Sequence, residues 1–405
     1  MTMRSLIAGL LLALPSVTTF ARDIAVKNAA ELKAAAATAV GGDVIRLASG
    51  RYDDVKLRLA KNGTQGRPIQ VVAAVPGEAI FGGTSEIDIS GAYVVIDGLY
   101  FLNGAIAGGG ADRAVVTFNS HHGVVRNTAI VDYNPAAFDT AYYWVFFNGS
   151  HNTLERCYFK GKNNLEPLIG NGLENAQYNS VVGCYFKNIP YDVGNGREDI
   201  RVWGSGKFDE KPTDGAYFTI QGNLFDHADG EGTEIVSLKS NFNQVLNNTV
   251  RATRGGLNIR RGSNNTLKGN IVLGEGVAGA HGLRMSGANH VVQGNYVSGC
   301  DYGIRVSAGE FTGYALTPDY APKEKNNAKT AKNALGIVTA YPQSKKLTLS
   351  GNVVVACDGP DLELGSDYKK HWPQEQMVLL PSDCEISGNR FVRPKGGVSV
   401  EVVAP

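Results

Sequence analysis

The sequence carries little charge, and the two signs are almost balanced. Only 19% of its 405 residues are charged, with 39 Lys or Arg against 38 Asp or Glu, so the formal net charge is +1. This balance excludes a generally basic nucleic-acid binder and an acidic disordered tail. The chain also lacks apolar periodicity of helix length, which disfavours a leucine-rich or helical solenoid. After residue 21 it has no apolar run long enough to span a membrane.

Cysteine is scarce as well, and its spacing matches no zinc-binding signature. The five residues are Cys157, Cys184, Cys300, Cys357 and Cys384. Cys157 and Cys184 both open the tetrapeptide Cys-Tyr-Phe-Lys, which indicates equivalent positions in consecutive structural repeats. We expect these two thiols to form a buried stack, with a disulfide between them as the alternative.

The N-terminal segment has the three regions of a secretory signal. Arg4 precedes an apolar run over residues 5–14, and Pro15 and a stretch of small residues lead to Ala21. The run is too short to span a bilayer. We therefore predict a signal peptide over residues 1–21 and an exported protein, periplasmic or secreted.

Glycine and asparagine are abundant, and they recur together. Glycine fills 50 of 405 positions, about 12% against the usual ~7%. The pattern apolar, any, Gly, Asn, any, apolar places its Asn at residues 223, 270, 295, 352 and 389, and looser copies place Asn127, Cys157, Cys184 and Asn248 at the same phase. Most of the spacings between neighbouring copies are similar. Such a regular spacing indicates a solenoid of stacked repeats, because solenoid units recur with periods of roughly 20–50 residues.

Each repeat alternates short β-branched runs with Gly-Asn turns, which predicts an all-β fold. Asn and Gly tolerate the left-handed backbone conformation that a sharp turn between strands requires. Stacked turns also let side-chain amides form a ladder. We therefore predict a single-domain right-handed parallel β-helix over residues 22–405, and we assign the repeated Asn residues to structure rather than to chemistry.

Two segments depart from the repeat. An open end of a solenoid exposes unpaired strands and apolar core, so a cap is expected. The Ala-rich segment over residues 29–39, ended by Gly41 and Gly42, predicts a short N-terminal capping helix. Residues 311–346 contain Pro318, Pro322 and several lysines, which indicates a long loop insertion, either a solvated excursion or a cover over substrate.

Three cations, Lys239, Arg260 and Arg284, occupy nearly one phase of the repeat. Each of them precedes the marker Asn of its own coil at almost the same spacing along the chain. Because parallel coils stack at ~4.8 Å, these side chains should project from one face as a basic column. A groove that concentrates cations suits an anionic polymer with regularly spaced carboxylates; an idle charged surface is the alternative.

A polymer of uronic acids also offers a reaction for this column. Removing the proton at C5 and expelling the 4-linked sugar by β-elimination needs a base, a group that neutralises the carboxylate, and a proton donor for the leaving oxygen. Lys239 suits the base, since adjacent guanidinium groups favour a neutral amine. Arg260 is suited to donate the proton, directly or through water. Arg284 is suited to bind a neighbouring carboxylate.

Three motifs, in order along the chain, resemble those of the polysaccharide lyases of family 6, which include alginate lyases and chondroitinase B. Residues 195–204, Asn-Gly-Arg-Glu-Asp-Ile-Arg-Val-Trp-Gly, are similar to the family's NGxExxRxG element, with the last Gly one place late. Residues 234–240, Glu-Ile-Val-Ser-Leu-Lys-Ser, resemble its catalytic-lysine strand, and residues 258–262, Asn-Ile-Arg-Arg-Gly, resemble its catalytic-arginine strand. The resemblance implies that Lys239 is the Brønsted base and Arg260 the Brønsted acid.

The resemblance also implies substrate and metal ligands. Arg284 matches a substrate-contact position, and we assign substrate binding to it together with Arg261, Arg201, His281 and Arg305. Calcium-using members hold an ion with an Asn of the first motif and two glutamates before the lysine. The corresponding residues are Asn195, Glu231 and Glu234, although Glu231 lies one position early. The alternative is that these carboxylates pair with Arg201 or Arg260.

The function expected from this pattern is an alginate lyase, because the first motif resembles alginate lyases more than chondroitinase B. One alternative is a chondroitinase B-like dermatan sulfate lyase. The other is a secreted β-helix that binds polyanions without catalysis. A glycoside hydrolase is disfavoured because no carboxylate pair belongs to a recognisable glycosidase motif.

Overall fold

The computed structural model describes the chain in seven stretches: residues 21–173, 175–192, 196–204, 212–309, 341–368, 379–394 and 396–403. The predicted signal peptide, except Ala21, lies outside the described residues. So do Asn195 and most of the predicted loop insertion over residues 311–346. The limits of the signal peptide and of the insertion therefore stay predictions.

The described residues contain 37 strands and one helix, and the strands form three parallel sheets. Sheet A holds β1 (Asp23–Val26), β2 (Val44–Leu47), β5 (Ile69–Ala73), β8 (Val94–Asp97), β11 (Val124–Arg126), β14 (Thr153–Glu155), β17 (Ser180–Val182), β20 (Thr219–Gln221), β23 (Gln244–Leu246), β26 (Thr266–Lys268), β29 (Val291–Gln293), β32 (Thr348–Ser350) and β35 (Glu385–Ser387). Sheet B holds β3 (Gly50–Asp53), β6 (Ala79–Gly82), β9 (Leu99–Leu102), β12 (Ala129–Val131), β15 (Tyr158–Lys160), β18 (Tyr185–Ile189), β21 (Leu224–Ala228), β24 (Thr249–Arg251), β27 (Ile271–Leu273), β30 (Tyr296–Ser298), β33 (Val353–Val355) and β36 (Arg390–Val392). Sheet C holds β4 (Lys56–Leu59), β7 (Glu86–Ile89), β10 (Ala114–Phe118), β13 (Tyr143–Phe147), β16 (Ile169–Asn171), β19 (Ile200–Trp203), β22 (Glu234–Lys239), β25 (Gly255–Arg261), β28 (Ala280–Met285), β31 (Tyr302–Ser307), β34 (Leu362–Ser366) and β37 (Val400–Val402).

Each coil contributes one strand to sheet A, one to sheet B and one to sheet C, so the chain winds as a right-handed parallel β-helix, as predicted. Side chains alternate between the interior and the surface along each strand. Equivalent interior positions stack from coil to coil, as in the run Val125, Leu154, Val181, Ile220 and Val245 of sheet A. These residues are at most 1% exposed, and the apolar core follows the axis of the solenoid.

The Gly-Asn pattern forms the predicted amide ladder between sheets A and B. The Nδ2 of Asn248 donates to the Oδ1 of Asn270 at 3.0 Å, and the Nδ2 of Asn270 donates to the Oδ1 of Asn295 at 2.9 Å. The glycine before each Asn takes a positive φ, for example 64° at Gly222 and 66° at Gly269. The ladder confirms the structural role of these Asn residues. One position was wrong: the residue opposite Cys157 is Thr128, one place after Asn127, as the pairing of β11 with β14 requires.

Cys157 and Cys184 continue this column towards the N-terminus. Both thiols are buried and unbonded, and the Cys184 amide donates to the Oδ1 of Asn223 at 2.8 Å. The predicted thiol stack is therefore confirmed over the disulfide.

The predicted N-terminal cap is also present. Helix α1 (Ala29–Thr38) packs Leu32, Ala35 and Ala36 against the first coil. Asn28 caps it, since its side chain accepts from the amide of Glu31 at 3.0 Å, and the Glu31 carboxylate accepts in return from the amide of Lys27 at 2.8 Å. Nowhere in the described stretches is there a helix with the length and apolarity to cross a membrane.

A second polar column, which the sequence pattern did not reveal, lies at the turns between sheets C and A. The amide of Asn243 donates to the Oδ1 of Asn265 at 2.8 Å, and the amide of Asn265 donates to the Nδ1 of His290 at 3.2 Å. His290 is fully buried, and burial lowers its pKa to about 4. His290 thus occupies the position in this column that Asn243 and Asn265 occupy in the preceding coils.

Candidate active site

Apart from Glu231 and Asn195, the predicted site residues lie on five consecutive strands of sheet C: β19, β22, β25, β28 and β31. The strand register places one outward residue of each strand in a row: Arg201, Ser237, Asn258, Arg284 and Arg305. Lys239, Arg260 and Arg284 thus lie on neighbouring strands of one sheet, as a column on one face requires.

Lys239, Arg260 and Arg284 do not lie directly opposite one another in the strand register. A register shift between Leu238 and Lys239 places Lys239 opposite Arg261, not opposite Arg260. Arg284 lies opposite Asn258. Such a shift is the effect of a β-bulge, which inserts one residue into one strand of a pair. Lys239 and Arg261 lie equally far before their marker residues Asn248 and Asn270, so the count agrees with this pair and fails only for the residues before the shift.

The three cations nevertheless converge through their side chains. The guanidinium carbons of Arg260 and Arg284 lie 3.6 Å and 4.9 Å from the centre of the Tyr341 ring. The Nε of Arg260 is 3.7 Å from the Oε1 of Glu234, and the Nζ of Lys239 is 2.8 Å from the Oε1 of Glu198. Glu198 and Glu234 belong to one carboxylate cluster, so Lys239 and Arg260 contact the same cluster.

That cluster is the acidic trio of Glu198, Glu231 and Glu234, whose ligand atoms all lie within 4.8 Å of one another. The sequence analysis placed Glu231 and Glu234 together, and the structure agrees. Its third ligand, Asn195, lies outside the described residues. Glu198, three positions later in the same motif, is the third member that the structure supplies.

A turn, not a strand, directs Glu231 into the trio. Residues 229–232 form this turn, closed by a hydrogen bond from the amide of Gly232 to the carbonyl of Asp229 at 2.7 Å. Gly230 and Gly232 take positive φ values of 53° and 74°. A Cβ at Gly230 would lie 2.4 Å from the carbonyl oxygen of Arg197. The alternation of a strand therefore does not apply to Glu231, and its early position in the sequence does not turn it away.

The trio is electrostatically strained. Burial, reinforced by Glu198 and Glu234, raises the pKa of Glu231 to about 8. Burial also opposes the charge of Glu198, but Lys239 and Arg201 outweigh it and bring the pKa of Glu198 below its ordinary value. One oxygen of Glu198, Oε2, is buried without a hydrogen bond. A buried group of oxygen ligands with excess negative charge suits a hard divalent cation such as Ca²⁺.

Arg201 closes the N-terminal side of the site. Its Nη2 donates to the hydroxyl of Tyr143 at 2.7 Å and to the Oε2 of Glu166 at 2.9 Å, while its Nη1 lies 3.7 Å from Glu198. Only 14% of its side chain is exposed. These contacts hold the guanidinium at the edge of the trio, so Arg201 lies within the site but already has carboxylate partners.

Arg261 and Lys239 share the indole of Trp203. The Nζ of Lys239 lies 5.0 Å from the centre of the ring, and the guanidinium carbon of Arg261 lies 5.9 Å from it. Lys239 is 9% exposed and Arg261 only 3%. The indole thus forms an apolar wall beside the lysine amine and limits its access to water.

His281, Arg284 and Arg305 form the C-terminal side of the site, around Tyr302. His281 stacks on the Tyr302 ring with centroids 4.7 Å apart, and the guanidinium carbon of Arg305 lies 3.8 Å from the ring centre. Arg305 pairs with Glu363 at 2.6 Å, and Arg284 lies 3.6 Å from Asp367. Burial lowers the pKa of His281. Arg284 and Arg305 therefore each have a carboxylate partner on this side of the site.

Four site residues escaped the sequence analysis: Glu198, Trp203, Tyr302 and Tyr341. Glu198 and Trp203 lie inside the first motif, three and eight positions after Asn195. That motif is therefore the sequence signal for both residues. Tyr302 lies one coil after His281 in the strand register. Tyr341 lies near the end of the predicted insertion over residues 311–346, and no repeat position predicts its contact with Arg260.

The arrangement brings a primary amine, two guanidinium groups and a metal-competent carboxylate trio to one partly buried place. An amine beside an apolar wall can exchange a proton with a substrate, and the guanidinium groups can bind an anionic one. Together these groups can carry out acid–base chemistry on an anionic substrate.

Comparisons with known proteins agree with this interpretation. The sequence profile described as Chondroitinase B matches residues 26–307. The solved structure of Pedsa3628, a PL6 family polysaccharide lyase from Pseudopedobacter saltans, is 39% identical, with a TM-score of 0.85 over 94% of this chain and 87% of that one. No curated protein matches the chain.

More distant structures share the fold. The PL6 family alginate lyase AlyGC is 22% identical, with a TM-score of 0.79 over 95% of this chain and 49% of AlyGC, so this chain spans about half the length of AlyGC. A mannuronic acid specific family 6 lyase from human gut microbiota is 22% identical, with a TM-score of 0.76 over 94% of this chain and 82% of that one.

The fold and the comparisons define a lyase that acts on polysaccharides. The chain belongs to polysaccharide lyase family 6, the family of chondroitinase B.

Proposed function

We propose that the protein is an exported alginate lyase that cleaves 4-linked polyuronate by β-elimination. The observation that carries the proposal is the convergence of Lys239 and Arg260 on one carboxylate cluster, with Arg284 beside Arg260 across the Tyr341 ring. The predicted signal peptide over residues 1–21 supports export to the periplasm or the medium.

Lys239 is the proposed base. Its neutral amine takes the proton from C5 of the uronate, and the electron pair of that C–H bond forms the C4=C5 double bond as the bond from C4 to the bridging oxygen breaks. Arg260 delivers a proton to the departing oxygen, directly or through water. One product carries an unsaturated uronyl end, and the other carries a new hydroxyl.

Contacts on this chain suit these roles. The hydrogen bond to Glu198 and the indole of Trp203 fix the direction of the Lys239 amine. Tyr341 holds the guanidinium groups of Arg260 and Arg284 side by side. Arg284 and Arg261 bind substrate carboxylates, and Arg201, His281 and Arg305 extend the binding surface on either side.

The acidic trio is the proposed calcium site. Glu198, Glu231 and Glu234 would hold the ion, and their crowding, which raises the pKa of Glu231, is the reason that a cation is favourable there. When bound, the ion supplies positive charge that stabilises the uronate carboxylate as negative charge develops on it. We expect calcium to raise the melting temperature of the purified protein, and Glu231→Gln to reduce that rise. No change on adding calcium after exhaustive chelation would contradict the site.

Alginate is the preferred substrate because the first motif resembles that of alginate lyases, and because AlyGC is described as an alginate lyase and the gut enzyme as mannuronic acid specific. The family description, Chondroitinase B, supports dermatan sulfate as the second candidate.

One assay separates these functions. Purified mature protein is incubated in parallel with alginate and with dermatan sulfate, and the ultraviolet absorbance of the conjugated uronyl end is followed. We expect a rise with alginate. A rise with dermatan sulfate alone would favour the second candidate, and no rise with either would contradict lyase activity on both and favour a polyanion-binding protein.

A further inference from the structure

We propose that a cleft on the N-terminal coils of sheet C is a distal saccharide-binding site, which holds a remote part of the polyuronate chain whose other part occupies the active site. The inference rests on the proposed function. It adds a binding region at the other end of the same sheet and a preference for long substrates.

The cleft has the size of a ligand site. It encloses about 370 Å³, within the range of roughly 300–1,000 Å³ that is common for such sites. Its lining is mostly polar and comes from four successive strands, β4, β7, β10 and β13, and from residues next to their ends. The polar groups used below are Lys56, Arg58, Glu86, Asp88, Asn119 and Asn148.

The cleft and the active site share one continuous face. In the strand register, Arg58 lies beside Asp88, then Thr117, Phe146 and Gly170. The next strand, β19, pairs its Ile200 with Ile169, which places Arg201 beside Gly170. From β10 to β22 there are four coil steps, about 19 Å at ~4.8 Å per coil. The two places therefore lie on the same face of sheet C, at a distance that an extended polymer can span.

Two of the three cations that line the cleft are available to a ligand, whereas the third, Arg113, pairs with Glu86 at 2.7 Å. The side chains of Arg58 and Lys56 are 73% and 57% exposed, and their carboxylate partners are distant, at 3.6 Å for Arg58 to Asp88 and 4.0 Å for Lys56 to Glu86. Exposed pairs of this kind contribute little to stability. A uronate carboxylate can therefore replace these partners at small cost, in contrast to the buried pair of Lys239 with Glu198.

Amides complete the lining. The Nδ2 of Asn119 donates to Asp88 at 2.8 Å, and the Nδ2 of Asn148 donates to the Oδ1 of Asn119 at 3.1 Å. This row follows the direction of the solenoid, and both Asn side chains are exposed. Amides both donate and accept hydrogen bonds, so they suit sugar hydroxyl groups.

The mixture of charges favours an acidic sugar over a simple ion. Cations and carboxylates alternate in the cleft, so it does not concentrate small anions. Among the described residues, the acidic cluster with metal-binding geometry is the trio of the active site, not this cleft. A polyuronate presents carboxylates to Arg58 and Lys56 and hydroxyl groups to the amides and to Asp88.

The test compares a long ligand with a short one. Binding of polymeric alginate and of an alginate trisaccharide is measured by calorimetry on the Lys239→Ala variant, which does not degrade them, with and without Arg58→Ala and Asn119→Ala together. We expect the two cleft substitutions to weaken polymer binding about tenfold, which corresponds to ~1.4 kcal/mol, and to leave trisaccharide binding unchanged.

The matched control is Arg46→Ala in the same Lys239→Ala background. Arg46 is an exposed arginine on sheet A that pairs with Asp23, so its substitution removes the same charge outside the cleft, and we expect polymer binding to stay unchanged. Equal weakening for both ligands, an equal effect of Arg46→Ala, or no effect on the polymer would each overturn the proposal. If the wild-type protein cleaves no polyuronate, the proposed function fails, while polymer binding to the Lys239→Ala variant still reports on the cleft.

Discussion

Two parts of the solenoid use polar residues in opposite ways. At the turns between sheets A and B, like residues stack on like, and the amides of Asn248, Asn270 and Asn295 satisfy one another at 2.9–3.0 Å. On the outer face of sheet C, unlike residues stack, and buried carboxylates share a few cations. One oxygen of Glu198 stays without a hydrogen bond. The repeated column of Asn residues stabilises the fold. The outer face of sheet C, whose residues do not repeat, instead holds unsatisfied charge that a substrate or an ion can pair with.

The largest expected effect is on the irregular face. We expect Lys239→Ala to lower the rate of alginate cleavage by about 10³-fold or more, because loss of a positioned base typically costs 10²–10⁴-fold. The ultraviolet assay measures the rate, and circular dichroism checks the fold. Lys187→Ala on sheet B, where the lysine is 37% exposed, serves as the control and should leave the rate unchanged. Equal rates for Lys239→Ala and the wild type would refute the role of Lys239.

The next effect falls on the repeated column. Asn270→Ala removes the acceptor for the amide and the side chain of Asn248, and it removes two donated bonds to Val245 and Asn295. We expect a loss of about 3 kcal/mol in the free energy of unfolding, since buried groups are left unsatisfied. Denaturant unfolding measures it. Gln244→Ala on the exposed side of β23 should stay within about 0.5 kcal/mol, and a similar loss for both variants would contradict the ladder's role.

A smaller effect is expected at Tyr341, which joins the two guanidinium groups. Tyr341→Ala should reduce kcat about tenfold, since a cation–π contact contributes ~0.5–2 kcal/mol, and it should raise KM through Arg284. Tyr341→Phe keeps the ring and should retain both constants. If the Phe variant loses as much as the Ala variant, the hydroxyl and not the ring would be the important group.

The last effect appears only at low pH and concerns His290, the residue that replaces asparagine in the second column. Burial lowers the pKa of His290 to about 4, from 6.5. As the pH falls, the histidine of the unfolded chain binds a proton near pH 6.5, whereas His290 of the folded chain binds one only near pH 4. The folded state therefore loses stability as the pH falls from 6.5 towards 4. His290→Asn should remove this part of the pH dependence of the melting temperature. An unchanged profile in the variant would show that other groups cause it.

The sequence predicted the regular part of the molecule well. The Gly-Asn period led to the β-helix, the amide ladder and the stack of Cys157 and Cys184, because each repeats a local rule from coil to coil. The cap at α1 was predicted from the open end of the solenoid and the Ala-rich segment there. The bulge beside Lys239 could not be predicted, since inserting one residue shifts the register without a signal in the composition.

The candidate active site could be predicted only in part. Both the repeat phase and the motifs pointed to Lys239, Arg260 and Arg284, and the structure places them on neighbouring strands of sheet C with an offset in the register. The direction of Glu231 depends on a turn with two positive φ values, and the place of Tyr341 depends on contacts between distant parts of the chain. Neither follows from periodicity, and the motif gave Glu198 no stated role.

The most direct test of the account is the fate of the C5 hydrogen during cleavage. Alginate oligomers carrying deuterium at C5 are compared with ordinary oligomers, and the products are identified by mass spectrometry. We predict slower cleavage of the deuterated oligomers by the wild type, products with an unsaturated uronyl end, and no detectable products with Lys239→Ala. Saturated products at every new end, or full activity without Lys239, would contradict the account.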